Sequence, residues 1–171
     1  MPGLPGRYRV IYATLGRAAN LSAVSGRYME DFAIGEVIES PEDYEITPDR
    51  LHEYAAEFDP QPIHLDQAAA ERSFFREMTA SGWHTLSVTM RLMVRSPLFT
   101  SGEVIGVGVD NLRWLLPVRP GDRLRARAEV LETRPSNSRP GRGFMNLRVT
   151  TLRGDEAVAS QDWMVMVPRR D

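Results

Sequence analysis

One change of period constrains the fold of this chain most. Between residues 81 and 96 the apolar side chains Trp83, Leu86, Val88, Met90, Leu92, Met93 and Val94 fall on more than one face of a helix. Such a helix is wrapped by protein rather than laid on a surface. Pro97 ends it, and the period then drops to two. Residues 103–116 are β-rich. Leu124, Ala126, Ala128 and Val130 alternate with Arg123, Arg125, Arg127 and Glu129, as in a half-buried strand. Met145, Leu147 and Val149 repeat the pattern, and residues 157–167 make a last strand. Strands in sequence, separated by turns at 117–122, 134–143 and 153–155, form an antiparallel meander. The expected fold is therefore α+β, an antiparallel sheet curled around one long central helix.

Upstream, residues 32–36 are a turn feeding a strand at Val37-Ile38, and residues 42–46 form a second short extended piece. Thr47 can cap a helix that Pro48 and Asp49 suit in its first turn. Leu51, Tyr54, Ala55 and Phe58 define its buried face, and Asp59-Pro60 stops it. A second short helix is expected from Asp66, over residues 67–75.

The chain has 171 residues and no cysteine. That length is one domain with one core. The missing thiol excludes disulfides, thiolate nucleophiles and Cys-based zinc sites. All 21 basic residues are Arg, which removes Schiff-base chemistry and the P-loop lysine. A net charge of -2 argues against a nucleic-acid or acidic-membrane binder, and no apolar run approaches a membrane span. Residues 1–27 carry Arg7, Arg9, Arg17 and Arg27 and no acid. They read as an N-terminal extension, a tail or a transit-like leader, ahead of a single domain at 28–168.

Only His52, His64 and His84 could supply an imidazole. In the segment Asp59-Pro60-Gln61-Pro62-Ile63-His64 two prolines flank Gln61, which predicts a stiff, extended backbone. It would hold a carboxylate and an imidazole at fixed separation, as water activation requires. The same residues read equally as a helix end, a hydrogen-bonded half-buried histidine and, at Asp66, a helix cap. A second feature is Thr79-Ala80-Ser81-Gly82-Trp83, where the apolar helix begins. Free N–H groups there can meet an oxyanion, and Gly82 lets a carbonyl approach closely. An ordinary Ser-capped N-terminus is the alternative. His52 is expected to be exposed and His84 to be a packed, hydrogen-bonded histidine.

Together these segments resemble the MaoC-like dehydratases, the (R)-specific enoyl-CoA hydratases of the hotdog fold. Asp59, Pro62, His64, Asp66 and Gly82 fall at that family's motif positions, as do Phe74 and the turn Pro117-Val118-Arg119-Pro120-Gly121-Asp122. The resemblance spans roughly residues 28–168. Gln61 stands where the family usually has Asn, and Ser81 where it usually has His before Gly. The resemblance implies reversible hydration of a 2-enoyl-CoA to a 3-hydroxyacyl-CoA. Asp59 and His64 would activate water, and the Gly82 N–H would hold the thioester oxygen. Gln61, Pro62, Ser81 and Trp83 would shape the substrate site. No metal or other cofactor is implied, coenzyme A being part of the substrate. Ser138, Arg139 and Arg142 in the 134–143 loop are the candidates to meet its phosphates, although that loop reads equally as a solvated basic hairpin. The resemblance further implies a homodimer that covers an edge strand, and a cytoplasmic setting is expected. Two other readings are an acyl-CoA thioesterase and a non-catalytic acyl-binding protein. Thioesterases of this fold usually place a carboxylate on or near the central helix, and residues 81–96 contain none.

Overall fold

The computed structural model describes residues 26–99 and 103–170. The expectations for the leader therefore fall, except for Gly26 and Arg27, outside the described residues. Arg27 pairs with Glu36 at 2.6 Å and lies over the Phe32 ring.

In chain order the elements are β1 (Val37–Glu39), β2 (Tyr44–Glu45), α1 (Pro48–Phe58), α2 (Pro62–Leu65), α3 (Gln67–Arg72), α4 (Gly82–Val94), β3 (Ile105–Trp114), β4 (Arg123–Pro135), β5 (Arg142–Arg153) and β6 (Glu156–Pro168). The strands form one antiparallel sheet in the order β1-β4-β5-β6-β3, with β2 also paired to β4. This is the hotdog arrangement. β4, β5 and β6 follow one another as the expected meander, but β3 does not join it beside β4: the chain crosses over after Trp114 and β3 pairs with the far strand β6. α4 shares its core with the sheet.

The alternation in β4 sorts as the sequence predicts: Leu124, Ala126, Ala128 and Val130 are buried and the intervening Arg and Glu side chains are exposed. On α4, Val88, Leu92 and Met93 join Leu147, Val149 and Val165 in the core. Each such side chain contributes about 1.5–3 kcal/mol by leaving water. Trp83, Met90 and Val94, spaced along one stripe of the same helix, stay exposed. Among the described residues β3 is an edge strand bonded only to β6, and Ile105, Val107, Val109 and Trp114 on it are about half exposed.

Three local expectations are corrected. The backbone of Asp59 to His64 is not extended throughout, because residues 62–65 close a helical turn capped by Gln61. Proline at the first helical position lacks only an N–H that would have had no partner there, so Pro62 starts a helix as readily as it stiffens an extended chain. The helix after Asp66 ends at Arg72, short of Phe75, and Arg76 sits in the left-handed region at φ 61°. Phe58 is exposed rather than on the buried face of α1, its ring tilted at 45° to that of Tyr54.

Candidate active site

Asp59 ends α1 as its C-cap, and His64 stands on the α2 turn five residues on. The turn brings them together: His64 Nε2 lies 3.5 Å from Asp59 Oδ2. His64 is buried, and its Nδ1 is 2.8 Å from the Thr79 carbonyl. A carbonyl only accepts, so Nδ1 carries a proton and donates it. In the neutral ring that leaves the Nε2 lone pair facing Asp59.

Two donors hold the Asp59 carboxylate. The Ser81 hydroxyl donates to Oδ2 at 2.6 Å, and the Gln61 amide donates to Oδ1 at 2.7 Å. The Ser81 bond first and the Gln61 bond next lower the carboxyl pKa below the ordinary 3.8; burial opposes them, and the charge His64 carries when protonated adds a smaller lowering. Asp59 is thus ionised over any neutral pH range. Ser81 also caps α4, its Oγ accepting from the Trp83 N–H at 3.2 Å. One serine therefore ties the carboxylate to the start of the central helix.

The rim is fixed from the sheet side. The Ala80 N–H donates to the Val118 carbonyl at 2.8 Å, and Arg119 pairs with Glu77 at 2.6 Å. Arg153 reaches both Asp122 and the Pro117 carbonyl, pinning the turn between β3 and β4.

Between these parts opens a cavity of about 490 Å³. Asp59, Gln61, His64, Thr79, Gly82 and Thr85 supply its polar wall, and Ile63, Phe75, Trp83, Trp114, Leu115, Leu116 and Val118 its apolar one. That is the size and lining of a small-molecule site with a few converging polar groups. Within it a polar corner adjoins an apolar wall: two acceptors 3.5 Å apart and a helix-start amide beside apolar side chains.

Of the residues expected from sequence, Asp59, His64, Gly82, Gln61 and Trp83 line this cavity. Ser81 acts one step behind, through Asp59. Pro62 is not on the wall; it starts the turn that carries His64. Ser138, Arg139 and Arg142 are not brought to the cavity within this chain. β4 leaves from beside Val118 and runs 13 residues, roughly 40 Å at strand rise, before the chain reaches them. The Arg142 guanidinium is paired with Glu103 instead. Asp66 is a cap, accepting from the Ala69 N–H. His52 is exposed, as expected. His84 is buried and packed as expected, stacked on Tyr54 with ring centroids 4.6 Å apart, but the expected hydrogen bond is not made by its Nδ1, which has no partner among the described residues. Burial first and Arg50 second push its pKa from 6.5 to about 4.

Sequence reasoning assigned no role to Thr79, Trp114, Leu115 or Leu116. Thr79 offers its carbonyl to His64, a role any residue type could fill. The wall from Trp114 to Leu116 lies where an alternating strand runs into the Pro117 turn, and there the period stops marking which side faces inward. Among the described residues no group of three or more His, Asp or Glu side chains is placed to hold a metal ion. No described helix is long and apolar enough to cross a membrane.

Residues 31–150 match the family described as MaoC like domain, and the chain belongs to that family. The crystal structure of the MaoC-like dehydratase from Rhodospirillum rubrum superposes with a TM-score of 0.80 at 41% identity, covering 85% of this chain and 99% of that one. The unliganded R-hydratase PhaJ1 from Pseudomonas aeruginosa superposes at 0.63 with 26% identity, over 84% and 86% of the two chains. The uncharacterised protein YdeM of Bacillus subtilis is 28% identical over 113 residues, 66% of this chain and 79% of YdeM.

Proposed function

We propose that this protein is a hydro-lyase that reversibly hydrates 2-enoyl-CoA thioesters to (R)-3-hydroxyacyl-CoA. The observation that carries this reading is the Asp59–His64 pair, 3.5 Å apart at the polar corner of an apolar cavity beside the free start of α4. Membership of the MaoC-like family and the likeness to an R-hydratase support it.

Two facing acceptors suit one water molecule, which gives an O–H to each. Asp59, held ionised by Ser81 and Gln61, is a weak base and orients the water. His64 Nε2 takes the proton as the water oxygen bonds to C3 of the enoyl group. Charge then moves onto the thioester oxygen, which accepts from the Gly82 N–H. One such donor is worth about 2.7–4 kcal/mol of transition-state stabilisation. The imidazolium next delivers its proton to C2, so the ring returns to its starting state and one water has been added across the double bond. Nothing in this sequence of steps draws on a metal or redox cofactor.

The active unit in this reading is a homodimer. Two copies related by a two-fold axis can pair their β3 edges antiparallel, covering the open strand and the adjoining apolar stripe of α4. Antiparallel pairing would carry the second copy's β4–β5 hairpin to the end of the sheet where this chain's cavity opens. The phosphate-binding role expected of Ser138, Arg139 and Arg142 is then exercised across the interface. A cytoplasmic location completes the reading.

The test is a panel of enoyl-CoA substrates of differing chain length and branching, followed by loss of conjugated-enoyl absorbance with a thiol reagent present. Hydration removes the absorbance and releases no thiol. Release of thiol would instead support a thioesterase, and no change on any substrate would support an acyl-binding protein.

A further inference from the structure

Gly82 and Trp114 are in closer contact than ordinary side chains allow. A Cβ placed on Gly82 would lie 2.7 Å from Cε2 and 2.9 Å from Cδ1 of the Trp114 indole, and nearer still to its Nε1. The absence of a side chain at Gly82 therefore admits this ring. The Cα–Cβ direction in a helix tilts toward the N-terminus, as do the free N–H groups of the first turn. The indole nitrogen thus sits at the open end of α4. By standard backbone dimensions it is no more than about 5 Å from the Gly82 nitrogen, and one oxygen can accept from both at about 2.9 Å.

Other observations fit a donor role. Trp114 and Gly82 line the same cavity as Asp59 and His64. Among the described residues the half-exposed Trp114 indole N–H makes no hydrogen bond to a protein group. The ring is held edge-on by Trp83, centroids 5.5 Å apart and planes at 79°. Trp114 is also the last residue of β3, just past a register shift between Asp110 and Arg113 where Asn111 is left-handed at φ 51°. Irregularities of this kind re-aim side chains at strand ends.

We propose that the Trp114 indole N–H is a second oxyanion donor, binding the thioester oxygen together with the Gly82 N–H. This rests on the hydratase reading and adds a catalytic residue to it. The indole cannot titrate, so it donates at any pH, and it reaches the oxygen from the sheet side while Gly82 reaches it from the helix.

The experiment has two arms on the full-length protein. In the first, Trp114→Phe keeps an aromatic ring and removes the N–H. The expected result for crotonyl-CoA hydration is a fall in kcat of about 10²-fold, with KM changed by no more than a few-fold. In the second, indole ¹H–¹⁵N resonances of ¹⁵N-tryptophan-labelled protein are followed, with the Trp114 signal assigned by its loss in the variant. Crotonyl-CoA should move that signal downfield, whereas the crotyl thioether of coenzyme A, which lacks the oxygen, should not. A Trp114 signal that ignores crotonyl-CoA, or responds equally to both compounds, overturns the proposal, as does a folded Trp114→Phe protein with the parent kcat. If the parent protein hydrates no enoyl-CoA, the hydratase reading fails, and the resonance shift alone decides whether Trp114 binds a thioester oxygen.

Discussion

Asp59 is held by Ser81 and Gln61, and its behaviour follows from them. Ser81 donates to the oxygen that faces His64, while Gln61 holds the other. Ser81→Ala should lower kcat about tenfold or more, each tenfold being about 1.4 kcal/mol, with KM little changed in steady-state assays. Asp59→Asn and His64→Gln should each cost about 10²–10⁴-fold or more while circular dichroism stays that of the parent. His84 gives a second residue-scale prediction. Its folded pKa is depressed to about 4, so the unfolded chain binds its proton first as pH falls. The associated stability is whole above pH 6.5 and is lost as pH falls toward about 4, a total of about 3 kcal/mol. Denaturant melts of the parent and of His84→Phe, which retains the stack on Tyr54, should diverge over that window and run parallel above it.

At the scale of elements, α4 is tied to the sheet by one buried polar link. Thr89 Oγ1 lies 2.6 Å from Thr151 Oγ1 on β5, and also donates to the Thr85 carbonyl at 2.8 Å. Its single proton goes to that carbonyl, so the Thr151 hydroxyl donates to Thr89. Thr89→Val strands a buried donor and should cost about 1–3 kcal/mol; the Thr89→Val/Thr151→Val double variant should cost less than the two single changes added together, by urea denaturation. The elements themselves were largely legible in the sequence, because their signals are local. Thr47 caps α1 and Ser81 caps α4 where the residues suggest, and the alternation of β4 sorts its faces. What was not legible depends on contacts made over long sequence separations. Pro62 fits an extended chain or a first helical turn equally well, and the Thr79 carbonyl selects the turn by bonding His64. Phe58 has the spacing of a buried residue, but its side of α1 meets water.

For the whole molecule, sequence spacing singled out Asp59, His64 and the start of the central helix, which the fold brings to one cavity, since all lie within one stretch of chain. It could not locate the hairpin bearing Arg139 and Arg142, whose distance from the cavity is set by how far β4 runs. The open edge of β3 is a prediction at this scale: the protein should sediment as a dimer, and Val109→Lys should shift it toward monomer and lower turnover in parallel. The account depends above all on water being delivered to C3 by Asp59 and His64. Incubation of crotonyl-CoA with the protein in H₂¹⁸O, read by mass spectrometry, tests this directly. The account predicts one ¹⁸O in the C3 hydroxyl of intact 3-hydroxybutyryl-CoA, and none with Asp59→Asn; label in the carboxylate of a free acid, or no label at all, would contradict it.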